Sequence, residues 1–158
     1  MAGMHGDEVN GIEIIRRMLG KKMLYPLKGT IIAVPILNIY GFLNFSRDVP
    51  DGKDVNRSFP GNREGSLASR VAHRFMKEVI PYVDYGLDFH TGGSSRANYP
   101  QIRCVLSDYR NEELAKAFGL DPNIHNRVSS VWVMKNEEVR MMVMSQLMGM
   151  DSPAASAS

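Results

Sequence analysis

The chain has 158 residues, 44% of them hydrophobic and 23% charged, which predicts one globular domain with its own core. Nineteen basic and 17 acidic residues leave a net charge of +2, too balanced to favour nucleic acid or an anionic membrane as the main partner. The single Cys104 cannot form an internal disulfide, and neither a leader-like segment nor an apolar run of about 20 residues is found, so we expect a cytoplasmic protein.

The N-terminal third predicts a helix, a strand and a long loop. Apolar residues recur at helical spacing over residues 9–19, directly after a His-Gly-Asp-Glu turn. Residues 31–37 are all apolar, which is typical of a strand buried on both faces of a parallel sheet. Residues 38–61 are rich in Gly, Pro, Asn and Asp and predict a loop, and loops of this length are usually functional.

The middle of the chain predicts alternating helices and strands. Residues 66–80 carry an apolar stripe at helical spacing, with Ser66 as the expected N-cap. Residues 82–90 and 101–106 predict strands, and a polar helix is expected over about 109–118. This alternation favours an α/β fold with a mostly parallel or mixed sheet flanked by helices.

The sequence changes in character after about residue 126. Residues 131–134 predict a short strand and 136–149 a methionine-rich helix, whereas 152–158 consist of Ala, Ser and one Pro and are expected to be disordered. We therefore divide the chain into a domain at residues 1–126 and a divergent tail at 127–158.

His5, Glu8 and His90 are candidate metal ligands. Two imidazoles and one carboxylate from separate segments match the protein ligands of a catalytic zinc, which keeps a fourth position for water. Zinc bound in this way lowers the pKa of its water to roughly 7 and polarises a carbonyl, so the set predicts hydrolysis. The alternative is a surface histidine, a helix N-terminal glutamate and a strand-end histidine, each satisfied separately.

Further motifs follow in a fixed order between and after these residues. Taken alone, residues 51–61 would indicate a well-capped surface loop. The ordered motifs resemble the succinylglutamate desuccinylase and aspartoacylase family, within the zinc carboxypeptidase superfamily. They are Gly3-Met4-His5-Gly6-Asp7-Glu8, Asn38-x-x-Gly41-Phe42, Arg47-x-x-Pro50-Asp51-Gly52, Asp54-x-Asn56-Arg57-x-Phe59-Pro60-Gly61, Asp88-Phe89-His90-Thr91-Gly92 and Asn98-Tyr99-Pro100-Gln101-Ile102-Arg103.

The resemblance implies a zinc carboxypeptidase-like fold over residues 1–126 and one zinc ion per chain, bound by His5, Glu8 and His90. It also implies that Asp54 accepts the spare ring N–H of His5 and fixes its tautomer. Asp88 shares a strand face with His90 and is a candidate for the same role, or for hydrogen bonding to a nearby loop.

Substrate contacts are implied by the same resemblance. Asn56 and Arg57 would bind a substrate carboxylate, to which a guanidinium group donates two parallel hydrogen bonds. Arg47 would polarise the scissile carbonyl, although an arginine in this loop could equally bind a carboxylate or solvent. Arg96 and Arg103 are further candidates for an acidic substrate, with solvation as the alternative for Arg96.

Members of this family hydrolyse the amide between an acyl group and an amino acid. The expected function is therefore a zinc-dependent deacylase for a small N-acyl amino acid, such as an N-succinyl or N-acetyl acidic amino acid. Two alternatives stay open, namely an inactive metal-binding fragment or partner-dependent module, and a metallocarboxypeptidase.

The general base of the reaction cannot be assigned from the sequence. The glutamates after His90 are Glu112, Glu113, Glu137 and Glu138, and none lies in an apolar strand followed by Gly. Family members also have a strand before the His-Gly-Asp-Glu turn and a β-rich C-terminal domain, so we expect this chain to be truncated at both ends.

Overall fold

The computed structural model describes residues 1–22, 26, 28–94, 96, 102–104, 117 and 131–135. Its helices are α1 (Val9–Gly20), α2 (Ile39–Asn44) and α3 (Leu67–Glu78), and a 3-10 turn follows at Ile80–Tyr82. Its strands are β1 (Tyr85–Phe89), β2 (Ile102–Cys104) and β3 (Val131–Lys135). Within the described ranges no helix is long and apolar enough to cross a bilayer.

The strands form a mixed sheet in the order β1, β3, β2. The middle strand β3 pairs antiparallel with β1, placing Trp132 opposite Asp88, and parallel with β2, placing Trp132 opposite Arg103. On the other edge of β1, Ala2 forms a parallel bridge with Phe89. The start of the chain therefore lies directly beside the strand that leads to His90.

Two helices agree closely with the sequence predictions. Helix α1 begins at Val9 and ends one residue beyond the predicted range, with Gly11 and Ile15 buried. Helix α3 is capped by Ser66, whose side chain accepts a hydrogen bond from the backbone N–H of Ser69. The apolar periodicity and the capping serine were sufficient because both signals are local.

The predicted strand at residues 31–37 is wrong. The N–H of Ala2 donates to the carbonyl of Val34, and the N–H of Leu37 donates to the carbonyl of Ala2. Pro35 has no N–H, and the segment bends within these bonds instead of forming a regular ladder. Ile31 and Ile32 are 47% and 43% exposed, so the expected burial on both faces is also wrong.

The predicted loop at residues 38–61 contains the short helix α2. Asn38 caps it by accepting a hydrogen bond from the N–H of Gly41 at 2.9 Å, and Phe45 ends it in the left-handed region at φ 49°. The strand predicted at 82–90 is shorter than expected because the 3-10 turn occupies its start.

The rest of the sequence predictions divide at the limits of the described residues. Strands β2 and β3 lie where strands were predicted, and Ala117 is helical within the expected 109–118 helix. The remainder of that helix, the 136–149 helix and the tail at 152–158 lie outside the described residues. The division of the chain at residue 126 stays a prediction.

The main hydrophobic core lies between α3 and the loop that follows α2. Phe59 packs edge-on against Phe75 of α3 with ring centroids 6.0 Å apart, and Val55 is fully buried. Burial of Val55 and Phe59 anchors residues 54–57 against this core. Asp54, the first of them, lies 3.4 Å from His5. The other buried members of this cluster are Met4, Val49, Ala68, Ala72 and Ile80.

A second core cluster, formed by Ala2, Ile15 and Phe89, lies between α1 and β1. Gly11 of α1 packs closely against Phe89 and Ala2 of this cluster. A Cβ atom at Gly11 would lie 2.8 Å from the carbonyl oxygen of Phe89 and 3.1 Å from the Cβ of Ala2. Helix α1 can therefore approach β1 only because residue 11 has no side chain.

Gly11→Ala should lower the free energy of unfolding by about 1 to 3 kcal/mol, because the added methyl group forces α1 away from β1. Gly20→Ala in the same helix is the matched control. No atom lies within 4 Å of its added Cβ, so it should be neutral or stabilising by up to about 1 kcal/mol. Urea denaturation of both variants measures the difference, and equal stabilities would contradict the described packing.

Candidate metal centre

The His-Gly-Asp-Glu turn is held against the backbone of α2. The N–H of Gly6 donates to the carbonyl of Ser46 at 2.9 Å, and a Cβ atom at Gly6 would lie only 1.8 Å from the carbonyl carbon of Gly41. Only glycine fits this approach. His5 and Glu8, on either side of the turn, are therefore buried, with 3% and 4% of their surfaces exposed.

His90 reaches the same place from the end of β1. The N–H of Phe89 donates to the carbonyl of Met1 at 3.0 Å, and the Met1 ammonium group donates to the carbonyl of Leu87. This pairing aligns the N-terminal segment with β1. The residue that follows β1 therefore lies beside the turn.

Glu8 joins the two histidines. Its Oε1 atom lies 2.8 Å from Nδ1 of His5, and its Oε2 atom lies 3.0 Å from Nδ1 of His90. Oε2 also accepts the backbone N–H of Thr91 at 2.9 Å. One ligand atom from each of the three residues lies within 4.8 Å of the others, so the group could bind a metal ion.

The opposite ring nitrogens of the histidines face two aspartates. Nε2 of His90 lies 2.7 Å from Oδ2 of Asp88 in a hydrogen bond, and Oδ1 of Asp88 is buried without a hydrogen-bond partner. Nε2 of His5 lies 3.4 Å from Oδ1 of Asp54, an ion-pair distance without hydrogen-bond geometry. Both rings thus present Nδ1 to Glu8 and Nε2 to an aspartate.

The carboxylates draw positive charge into this buried site. Burial by itself raises the pKa of Glu8, but hydrogen bonds from His5 and His90 outweigh burial and lower it to about 2. Burial of His90 lowers its pKa, but the charges of Asp88 and Glu8 and their hydrogen bonds raise it to about 10. The pKa of His5 is also raised, since Asp54 and Glu8 outweigh burial.

The donor set fits zinc. Neutral imidazole nitrogen and carboxylate oxygen are its usual ligands together with thiolate, and a hydrogen bond on the second ring nitrogen fixes the tautomer of a ligating histidine. Asp88 offers such a bond to His90, and Asp54 is positioned to offer one to His5. A divalent cation would supply the positive charge that these carboxylates otherwise favour on the imidazoles.

Arg47 lies beside His5, Glu8 and His90, which together are called the metal group below. Its Nε and Nη2 atoms donate to Oδ2 of Asp54 at 3.0 and 2.7 Å, and its Nη1 atom lies 4.0 Å from Oε1 of Glu8. Asn38 positions this arginine, because its Nδ2 donates to the Arg47 carbonyl at 3.3 Å and its side chain is fully buried. The Arg47 side chain is 45% exposed and therefore accessible to a ligand.

Asn56 and Arg57 lie at the outer side of Asp54. The backbone N–H of Asn56 donates to Oδ1 of Asp54 at 2.8 Å, and Nε of Arg57 lies 3.7 Å from Oδ2. The Arg57 side chain is 83% exposed, so most of its donors face solvent. The exposed Arg96 has no described side-chain contact to this group, and the Arg103 side chain lies outside the described residues.

Asp7 contributes to the site in a way that sequence reasoning did not identify. Its Oδ2 atom accepts the backbone N–H of Ser94 at 2.9 Å, while Oδ1 is buried without a partner. Glu8 and Asp7 thus hold the two ends of the segment Thr91 to Ser94, immediately after His90. Ser94 has φ 58°, so this segment ends in a residue with a left-handed backbone conformation.

The comparisons with known proteins bear on this geometry. Residues 1–142 match the succinylglutamate desuccinylase/aspartoacylase catalytic domain. The chain belongs to this family. The family predicted from the sequence is therefore confirmed. Glu112, Glu113, Glu137 and Glu138, the glutamates considered as general bases, lie outside the described residues.

Relatives of the family resemble the chain over part of their length. It is 35% identical over 123 residues to an N-alpha-acetyl-L-2,4-diaminobutyric acid deacetylase of Halomonas elongata, a match that covers 74% of this chain and 36% of that protein. The crystal structure of a succinylglutamate desuccinylase/aspartoacylase from Rhodobacter sphaeroides superposes with a TM-score of 0.67 at 24% identity, covering 94% of this chain and 52% of that one.

A further solved relative is the product-bound ectoine utilization protein EutE from Ruegeria pomeroyi. It has a TM-score of 0.64 and 22% identity, and the match covers 93% of this chain and 54% of that one. These two structures support the fold of the family. The chain spans about half the length of the solved relatives and about a third of the deacetylase.

His90→Ala should abolish stoichiometric zinc binding, because one of three candidate ligands is lost. We expect an affinity loss larger than the roughly 10 to 100-fold caused by removing an outer hydrogen-bond partner of a ligand. His73→Ala on α3 is the matched control and should keep one zinc per chain. Metal analysis after gel filtration gives both values, and one zinc retained by His90→Ala would remove His90 from the ligand set.

Proposed function

We propose that this chain forms the zinc-binding part of a deacylase that hydrolyses the amide of a small N-acyl amino acid. The observation that carries the proposal is the buried group of His5, Glu8 and His90 in a chain of the succinylglutamate desuccinylase/aspartoacylase family. Amide-cleaving members of this family and the named activity of the Halomonas elongata relative support the reaction class.

Zinc held by these residues would supply a Lewis acid and an activated water at neutral pH. The chain's own residues would orient that chemistry. Asp88 and Asp54 would hold the two imidazoles with Nδ1 directed toward Glu8, in agreement with the distances of 2.7 and 3.4 Å.

Arg47 is the best-placed residue to stabilise negative charge on the substrate carbonyl oxygen. Its guanidinium group is held by two hydrogen bonds to Asp54, and the side chain is 45% exposed next to Glu8. A donor fixed before the reaction stabilises developing charge without having to reorient. Because Asp54 occupies only Nε and Nη2, the Nη1 atom is the one directed toward the metal group.

Arg57 and Asn56 would bind the substrate carboxylate. Arg57 approaches Asp54 through its Nε atom, at 3.7 Å. Its two terminal nitrogens can therefore donate to a carboxylate. An α-carboxylate is common to N-acetylated and N-succinylated amino acids, and an acidic side chain would add a second anionic group.

A metal-binding module without activity of its own is the second candidate. It is favoured by the glutamates after His90, none of which lies in an apolar strand followed by Gly. A metallocarboxypeptidase is the third candidate and would cleave a C-terminal peptide bond at the same metal group.

The zinc-loaded chain should release acetate or succinate from N-acyl amino acids, and the His90→Ala variant should not. N-acetyl-aspartate, N-succinyl-glutamate and N-alpha-acetyl-L-2,4-diaminobutyrate should be compared, with a peptide bearing a free C-terminus as the carboxypeptidase substrate. One bound zinc without release of any acyl group would support the module and contradict the deacylase.

Arg57→Lys should raise the KM for an N-acyl amino acid by about tenfold, because the point charge of lysine loses the two parallel hydrogen bonds. Zinc content should not change. Arg16→Lys is the matched control, since its side chain is also exposed, at 70%, but lies on α1 and pairs with Glu13. If both variants have the wild-type KM, Arg57 does not bind the substrate.

A further inference from the structure

A second concave site lies on the surface of α3, away from the metal group. The groove has a volume of about 640 Å³, and none of His5, Glu8 and His90 lines it. One wall is the exposed face of α3, and the other is formed by Tyr40 of α2 and by residues 63–65. Small-molecule sites typically have volumes of about 300 to 1,000 Å³, so the groove is large enough for a ligand.

The groove is strongly cationic. Arg63, Arg70, Arg74 and Lys77 line it, against the single carboxylate of Glu64. A concave surface lined by one sign of charge concentrates the electric field and attracts counter-ions.

The cations of the groove are available to a ligand. Arg74 pairs with Glu78 at 3.0 Å and Arg63 with Glu64 at 3.8 Å, but both pairs are exposed, and exposed pairs contribute at most about 1 kcal/mol. Within the described part of the chain, Arg70 and Lys77 have no acidic partner within 4.0 Å. An anion can therefore replace these contacts with little loss of free energy.

The spacing of the cations indicates the form of the anion. Arg70, Arg74 and Lys77 follow one another at i, i+4 and i+7, so they share one face of α3. The first and last are about 10 Å apart along the helix axis, at 1.5 Å per residue. A chain of phosphates can contact them in succession, whereas a single phosphate would require three long side chains to be ordered around one point, at a cost in conformational entropy.

We propose that this groove binds an oligophosphate, whose successive phosphate groups pair with Arg70, Arg74 and Lys77. Guanidinium groups suit phosphate oxygens because they donate two parallel hydrogen bonds. The ligand is either an inorganic oligophosphate or the phosphate chain of a nucleotide. Tyr40, 41% exposed on the opposite wall, is the aromatic surface against which a nucleobase would stack.

Calorimetric titration of the purified chain with tripolyphosphate in low salt tests this proposal. We expect one site per chain and an affinity at least about tenfold weaker in the double variant Arg70→Gln/Lys77→Gln, which removes the two unpaired cations. The double variant Arg17→Gln/Lys21→Gln, in α1 and at its C-cap, removes the same charge elsewhere and should bind as the wild type does. Both variants keep the metal group, so chelation of zinc by the ligand contributes equally to their titrations.

Three results would overturn the proposal. Equal weakening in both double variants would show general attraction to a basic chain, and orthophosphate as strong as tripolyphosphate would contradict the spacing argument. Tighter binding of a poly-glutamate peptide would show that the groove selects an acidic protein segment.

Adenosine triphosphate identifies the source of the phosphates. Binding tighter than that of tripolyphosphate, with the gain lost in Tyr40→Leu, would indicate a nucleotide. Equal binding of the two ligands would indicate an inorganic oligophosphate, and both results agree with the proposed site.

Discussion

The Glu8 carboxylate holds together parts of the chain that are distant in sequence. Its two oxygens contact Nδ1 of His5 and Nδ1 of His90, and the second oxygen also accepts the N–H of Thr91, 83 residues away. Removal of this buried carboxylate would take away the contact that the Nδ1 atom of each imidazole and the N–H of Thr91 make with it. The candidate metal centre, the end of β1 and the following turn all depend on it.

A buried cluster of three carboxylates and two imidazoles is costly unless its charges are balanced. The carboxylates of Glu8 and Asp54 have a pKa of about 2, so they are ionised at neutral pH. The imidazoles, whose pKa values are raised, and the Arg47 guanidinium group offset the negative charge here, and a bound divalent cation is the alternative source of positive charge. This balance explains why the arrangement that suits a metal is also stable as a network of hydrogen bonds.

Sequence reasoning predicted the elements whose signals are local. Helices α1 and α3 followed from apolar periodicity and from the cap at Ser66, and His90 was expected at the end of a strand that in fact ends at Phe89. Helix α2 was missed because its six residues lie within a segment rich in Gly and Asn. Asn38, before an apolar residue, is nevertheless a typical N-cap. The run at 31–37 was assigned wrongly, since continuous apolar residues do not by themselves establish a strand, and here Ile31 and Ile32 are exposed.

The site divides in the same way between what motifs carry and what only tertiary structure reveals. Ordered motifs singled out His5, Glu8 and His90 as candidate ligands, and these residues do lie together. The contact of Asp7 with Ser94 joins residues 87 positions apart, and the bond from Asn38 to the Arg47 carbonyl joins residues on either side of α2. Neither contact has a periodicity or a spacing that a sequence could display.

The separation of the two histidines has a consequence for folding. Bringing His5 to His90 closes a loop of more than 80 residues, which costs a flexible chain about 4 kcal/mol of entropy from the logarithmic length dependence alone. Neither half of the ligand set can retain a metal tightly before that loop closes. A metal ion that binds only the closed state therefore acts as a cross-link. Once the site is largely filled, the free energy of unfolding rises with the logarithm of the free metal concentration.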